Sequence, residues 1–276
     1  MSVRRPALPI FSTVEEAMRL IVCKLPALLN VYVLPWVVLL AASVALDCLL
    51  LNSNQTSLDW LHLPLTALIN AVFVTAMLRI TLLGESPSTD LNWWFNGTFL
   101  RVAAVVLTFL AGFAALQWSV RTVMPTVIDA IAFLAGGLPD DVMFASTFAG
   151  TVLVLLPEIL LVLCVFFLAP LVVATGGFDW RQHWAILAAR PVKLAFLVAF
   201  ASILVMGFQY SYHGAIAWIP TPGVPNFWSW PTAMLVTFER RLPWFPFDFL
   251  RDSFLVMLLA AAYRRLTSAA SINPFA

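Results

Sequence analysis

Glu158 is the residue whose type and place most invite chemistry. It follows Pro157 inside the apolar stretch 152–173, and an ionisable group in such a stretch is costly enough to be read first as functional. Proton coupling or contact with a substrate are the roles that would suit it. The plainer alternatives are a neutral buried acid or a structural ion pair, for which Arg121 and Arg251 are the partners nearest in depth. Asn70, also within an apolar stretch, reads as an interhelical hydrogen bond rather than a ligand.

A second candidate surface is aromatic and basic. The segment 211–247 carries Trp218, Trp228, Trp230 and Trp244, with Arg240 and Arg241 between them and several prolines that prevent one continuous helix. Tryptophans of this kind belong at headgroup level, where the arginines could meet lipid phosphates. The same patch could dock a protein partner, since large apolar surfaces seldom stay uncovered.

No other group of residues forms a reactive set. His62, His183 and His213, like Cys23, Cys48 and Cys164, are scattered without metal-ligand spacing or a disulfide framework. Nucleophile-elbow, zinc-protease, P-loop and dinucleotide-glycine motifs are absent. Catalytic, metal and cofactor-binding residues are accordingly expected to be none, and the protein is not expected to be an enzyme.

The elements that must position Glu158 follow from composition. Of 276 residues, 62% are hydrophobic and 11% charged, whereas a soluble domain is nearer half and a quarter. A mean hydropathy of +0.94 points the same way. An ordinary cytosolic enzyme, a disordered tail and a nucleic-acid binder are excluded, and a polytopic membrane protein remains. A net charge of +1 implies no bulk attraction to acidic partners. Six stretches approach the roughly 20 apolar residues needed to cross the hydrocarbon core: about 27–50, 61–83, 102–120, 152–173, 192–210 and 249–263. They lack the alternation of a barrel strand. The expected fold is an all-α transmembrane bundle of about six spans in a single membrane domain, 1–276, with interfacial amphipathic helices. The segment 123–137 is too short to cross and reads as re-entrant or interfacial.

Six spans put both termini on one side. Arg4, Arg5, Arg19, Lys24, Arg79, Arg101, Arg181, Arg190, Lys193, Arg264 and Arg265 then share that side, against Arg121, Arg240, Arg241 and Arg251 on the other. Eleven against four predicts cytoplasmic termini. Glu15, Glu16 and Arg19 interrupt any cleavable signal sequence, so the first span reads as an uncleaved anchor.

Three segments on the basic side resemble one another. Ser12–Lys24, Thr89–Arg101 and Asp179–Arg190 each run from a helix-capping residue to a basic one, with Asp90 a good cap in the second. In the first, Ser12 with Glu15, or Thr13 with Glu16, has capping-box spacing, and Val14, Ala17, Met18, Ile21 and Val22 form an apolar stripe. The exits LLGE and ATGG both turn at glycine. Three units, 11–84, 88–175 and 178–266, would each pair an interfacial helix with a transmembrane hairpin. Amphipathic entry helices without any repeat would look the same.

The stretch LAPLVVATGGFDWRQHWAILAARPVKLAFLV, the ending FLVMLLAAAYRRLTS and the entry EEAMRLIVCKLPALLNVYVLPWVVLL together resemble a group of small bacterial integral membrane proteins. That group is similar to the membrane domain accompanying some glycerophosphodiester phosphodiesterases. The resemblance implies a six-helix inner-membrane protein without the phosphodiesterase domain, and it brings no activity with it.

Two functions fit these observations. One is a non-enzymatic membrane protein supporting envelope or lipid organisation, or binding a membrane partner, with membrane lipids as its surroundings. The other is a transporter or permease-like subunit for an apolar or amphipathic substrate, resting on Glu158 and its proline-rich span. A polar cavity reaching Glu158 would favour transport; a tightly packed bundle would favour a scaffold. Oligomeric state is not legible.

Overall fold

A computed structural model describes residues 8–53, 59–134, 156–216 and 242–270. Among these the chain is predominantly helical, without strands. Five helices are long and apolar enough to cross a membrane: Ile10–Ala42, Pro64–Leu83, Gly97–Leu116, Leu156–Thr175 and Pro191–Gln209. The sixth expected span lies in the 26-residue helix Phe245–Ala270. It is equally long but carries Asp248, Arg251 and Asp252 near its start and Arg264 and Arg265 near its end. Polytopic all-α architecture is thus the observed fold.

In chain order, α1 is Ile10–Ser53, α2 is Asp59–Leu78, ending in a π-turn at Arg79–Leu83, and α3 is the short Leu91–Trp94. Next come α4, Gly97–Leu134, and α5, Leu156–Thr175, which contains a π-turn at Val162–Phe166. The chain continues with α6, Trp180–Ala189, α7, Pro191–Ile216, and α8, Phe245–Ala270, entered through a 3₁₀ turn at Leu242–Trp244.

Two helices are longer than expected. At 44 residues α1 is about 66 Å long at 1.5 Å per residue, and it passes through Pro26 and Pro35. The entry segment anticipated as a separate interfacial helix is therefore its first turns. The capping box does not form: the Ser12 and Thr13 hydroxyls donate to the Pro9 carbonyl at 3.3 and 2.8 Å. The other two entry segments are separate helices, capped as expected. The Asp90 and Asp179 carboxylates accept from the backbone N–H groups of Asn92 and Gln182, both at 2.9 Å. Helix α4 runs on into the segment expected to be re-entrant or interfacial and remains helical to Leu134.

Glycine closes α2 and α5 where the sequence places it. Gly84 and Gly176 sit at φ +68° and +73°, a left-handed geometry that costs a residue with a Cβ about 1 kcal/mol or more. Between α4 and α5, Gly112 lets the helices meet: a Cβ there would stand 2.8 Å from a Leu161 methyl.

Helices α1 and α8, like α4 and α5, run antiparallel. Arg265 of α8 meets Ser12 and Glu16 of α1 at one end, and Asp252 meets Tyr32 further along. On α4 and α5, Arg101 donates to the Gly176 carbonyl, and Phe109 packs on Phe166 at 5.0 Å. Arg79, Arg101 and Arg265 thus mark one end of the bundle, its basic end. The half next to it is tightly packed, with Phe167–Val173 of α5 and Ala260–Tyr263 of α8 buried. Ala260, Ala261 and Ala262 let neighbouring backbones approach there. Outward positions such as Leu34, Val37, Val38, Leu160, Phe196 and Ile203 are large, apolar and exposed, as a lipid-facing surface requires.

Candidate functional site

Beyond the packed half, the helices part around a cavity of about 780 Å³. All six long helices line it, each through positions at helical spacing. On α5 these are Glu158, Val162 and Phe166; on α4, Val106, Phe109, Leu110 and Phe113; on α7, Val198, Ala201, Ser202, Val205, Met206 and Gln209. On α2, α5, α7 and α8 the stripes are apolar towards the basic end and polar towards the other, whereas that of α4 is apolar throughout. Polar residues gather where α2, α5 and α8 begin and α7 nears its end: Thr66 and Asn70, Glu158, Gln209, and the group Asp248, Arg251 and Asp252.

That last group is an internal ion network. Arg251 donates through Nε to Asp252 Oδ1 at 2.8 Å and pairs with Asp248 one turn earlier at 3.3 Å. The Tyr32 hydroxyl donates to the other Asp252 oxygen at 3.1 Å. Tyr32 is itself fixed edge-on to Phe73, Phe245 and Phe249, with centroids 5.2–5.7 Å away. Phe247 supports the guanidinium from below at 5.5 Å, a favourable cation–π contact. Arg251, an expected partner for Glu158, is committed instead to the two aspartates beside it on α8, which reach it through i,i+3 and adjacent positions. The side chain of Arg121 lies outside the described residues.

Glu158 therefore lines the cavity without a hydrogen-bond or ion-pair partner among the described residues. Asn70 departs from expectation too: it faces the cavity and bridges no helices among the described residues. The π-turn after Glu158 has a local cause. Pro170 has no N–H and its ring crowds the carbonyl four residues earlier. Widening the turn at Val162–Phe166 relieves that conflict without breaking the helix.

Of the expected outer surface, Trp218, Trp228, Trp230, Arg240 and Arg241 lie outside the described residues. Trp244 is described: its ring packs against Tyr212 at 5.6 Å and Phe247 at 6.1 Å, joining the α7–α8 junction beside the cavity. The Tyr212 hydroxyl also donates to the Pro243 carbonyl there.

The basic end is held by ion pairs. Arg79 pairs with Glu85 at 2.6 Å and lies over Trp93 at 4.9 Å, while the Trp93 indole donates to Glu85 at 2.8 Å. Arg265 pairs with Glu16 at 2.6 Å and donates to the Ser12 hydroxyl at 2.8 Å. His183 on α6 is buried against Phe167, Trp180 and Trp184. Burial lowers its pKa from the ordinary 6.5; the Cys164 carbonyl opposes that shift but does not reach hydrogen-bonding geometry.

No family model, curated protein or solved structure matches this chain.

The ion network on α8 and the convergence of polar residues around one cavity escape a reading of the sequence alone. A signal is present in it: Asp248, Arg251 and Asp252 have helical i,i+3,i+4 spacing at the start of an otherwise apolar run.

Proposed function

We propose that this is a permease-like membrane protein that takes an amphipathic molecule into the cavity between its helices. The observation that carries the reading is the cavity of about 780 Å³ with a polar end at Glu158 and Arg251 and an otherwise apolar lining. Ligand sites are concave, mostly apolar and oriented by a few polar groups, and this volume lies within their usual range of about 300–1,000 Å³. An amphipathic molecule suits it: a headgroup at the polar end, a chain along the apolar stripes. A scaffold role for envelope or lipid organisation calls for close packing throughout, and the opening of one half of the bundle weighs against it. The setting is a bacterial cytoplasmic membrane with both termini in the cytoplasm, supported by the basic residues gathered at one end.

Native mass spectrometry of protein released from lipid nanodiscs tests it. The wild type is expected to retain one amphipathic molecule per chain at a collision energy that strips annular lipid. Ser202→Trp, which fills the cavity from α7, is expected to lose it. Equal retention by both proteins, or none by the wild type when amphiphile is supplied, would overturn the reading.

A further inference from the structure

The charges around the cavity bear on the charge of its occupant, an inference that rests on the permease-like reading. Among its described lining residues are three carboxylates, Glu158, Asp248 and Asp252, and one guanidinium, Arg251. Arg251 already engages both aspartates, and Asp252 also accepts from Tyr32. The guanidinium is thus occupied, and an anionic headgroup entering here would have to displace a carboxylate from it. Glu158 is differently placed: it stands across the cavity on α5, with no partner among the described residues.

An independent feature of the walls points the same way. Three aromatic residues line the polar part of the cavity from α1 and α2: Tyr32, which donates to Asp252, with Trp36 and Phe73 beside it. Aromatic faces attract cations through their quadrupoles, most strongly where water is excluded, and several together form the usual cage for ammonium groups. Aromatic walls alone suit any apolar chain, and a carboxylate alone suits any donor. Their combination in one cavity whose arginine is already paired selects a cation.

We propose that the molecule held in this cavity is a cationic amphiphile, a hydrocarbon chain bearing an ammonium group, with Glu158 as counter-ion to its head. The apolar stripes of α4, α5 and α7 take the chain.

Four compounds sharing a dodecyl chain and differing in headgroup test this: trimethylammonium, primary ammonium, sulfate and maltoside. Binding to the full-length protein in nanodiscs is measured by isothermal titration, with empty nanodiscs subtracted to remove partitioning. Both ammonium compounds are expected to bind wild type at least about tenfold more tightly than the sulfate, since about 1.4 kcal/mol of pairing already gives that factor. Glu158→Gln is expected to remove most of this preference, whereas Glu158→Asp, which keeps the carboxylate, is expected to retain it. Sulfate binding as tight as ammonium, or a preference that survives Glu158→Gln, would overturn the proposal. If no headgroup binds better to wild type than to Ser202→Trp, the cavity reading itself fails. If the maltoside alone discriminates those two proteins, the cavity reading stands and the cationic assignment falls.

Discussion

Glu158 and Arg251 show two ways of holding a charge away from bulk water. Arg251 is surrounded by two aspartates and an aromatic ring, an arrangement that offsets its desolvation. Glu158 faces the cavity with no such partner among the described residues. The Tyr32 hydroxyl ties the Arg251 network to α1, so Tyr32→Phe keeps the ring packing and removes one hydrogen bond to a carboxylate. It is expected to cost about 1–2 kcal/mol, read as a lower unfolding midpoint in detergent. His183 gives a pH dependence at the opposite end. Its pKa is lower in the folded protein than the 6.5 of the free side chain, so below 6.5 the unfolded state binds the extra proton. Its contribution to stability is complete above 6.5 and declines as pH falls from there towards the folded value. A thermal-unfolding series from about pH 8 to about pH 5 should show that decline, and His183→Leu should flatten it.

At the scale of elements, the bundle depends on where helices approach and where they part. Gly112 marks an approach: a side chain there meets Leu161. Gly112→Val is expected to destabilise by about 1–3 kcal/mol through overpacking, and Leu161→Ala in the same chain to restore part of it. Additive losses in that double-mutant cycle would show that the two positions do not touch. The same scale explains what the sequence made legible. Apolar runs located the helices because hydropathy is a local property, and Asp90, Asp179, Gly84 and Gly176 marked helix ends because caps are satisfied within one turn. The continuity of α1 through Pro26 and of α4 beyond residue 120 was not legible, since a polar or proline-bearing turn on a long helix looks like a boundary. Glu158 stood out as a lone acid in an apolar run. Its neighbours in the cavity were not legible as a group, because Tyr32, Asn70, Gln209 and Asp252 come together only when six helices pack.

At the scale of the whole molecule, one half of the bundle is packed and tied by ion pairs, and the other opens into the cavity. Arg79 with Glu85 and Arg265 with Glu16 close the basic end, so the polar mouth of the cavity should face the opposite side of the membrane. Reporter fusions at Ala276 and Asp140 check this orientation: a cytoplasmic signal is expected from Ala276 and none from Asp140. The most direct measurement for the cavity uses a diazirine-bearing dodecylamine, photolysed on the protein in nanodiscs with the adducts mapped by peptide sequencing. Ser202 and Val205 face the cavity, whereas Ile203 and Leu204 face outward on the same helix. Labelling at Ser202 and Val205 should fall when excess unlabelled dodecylamine is added, while labelling at Ile203 and Leu204 persists. Equal labelling of both faces, with no competition at either, would contradict the existence of an amphiphile site inside the bundle.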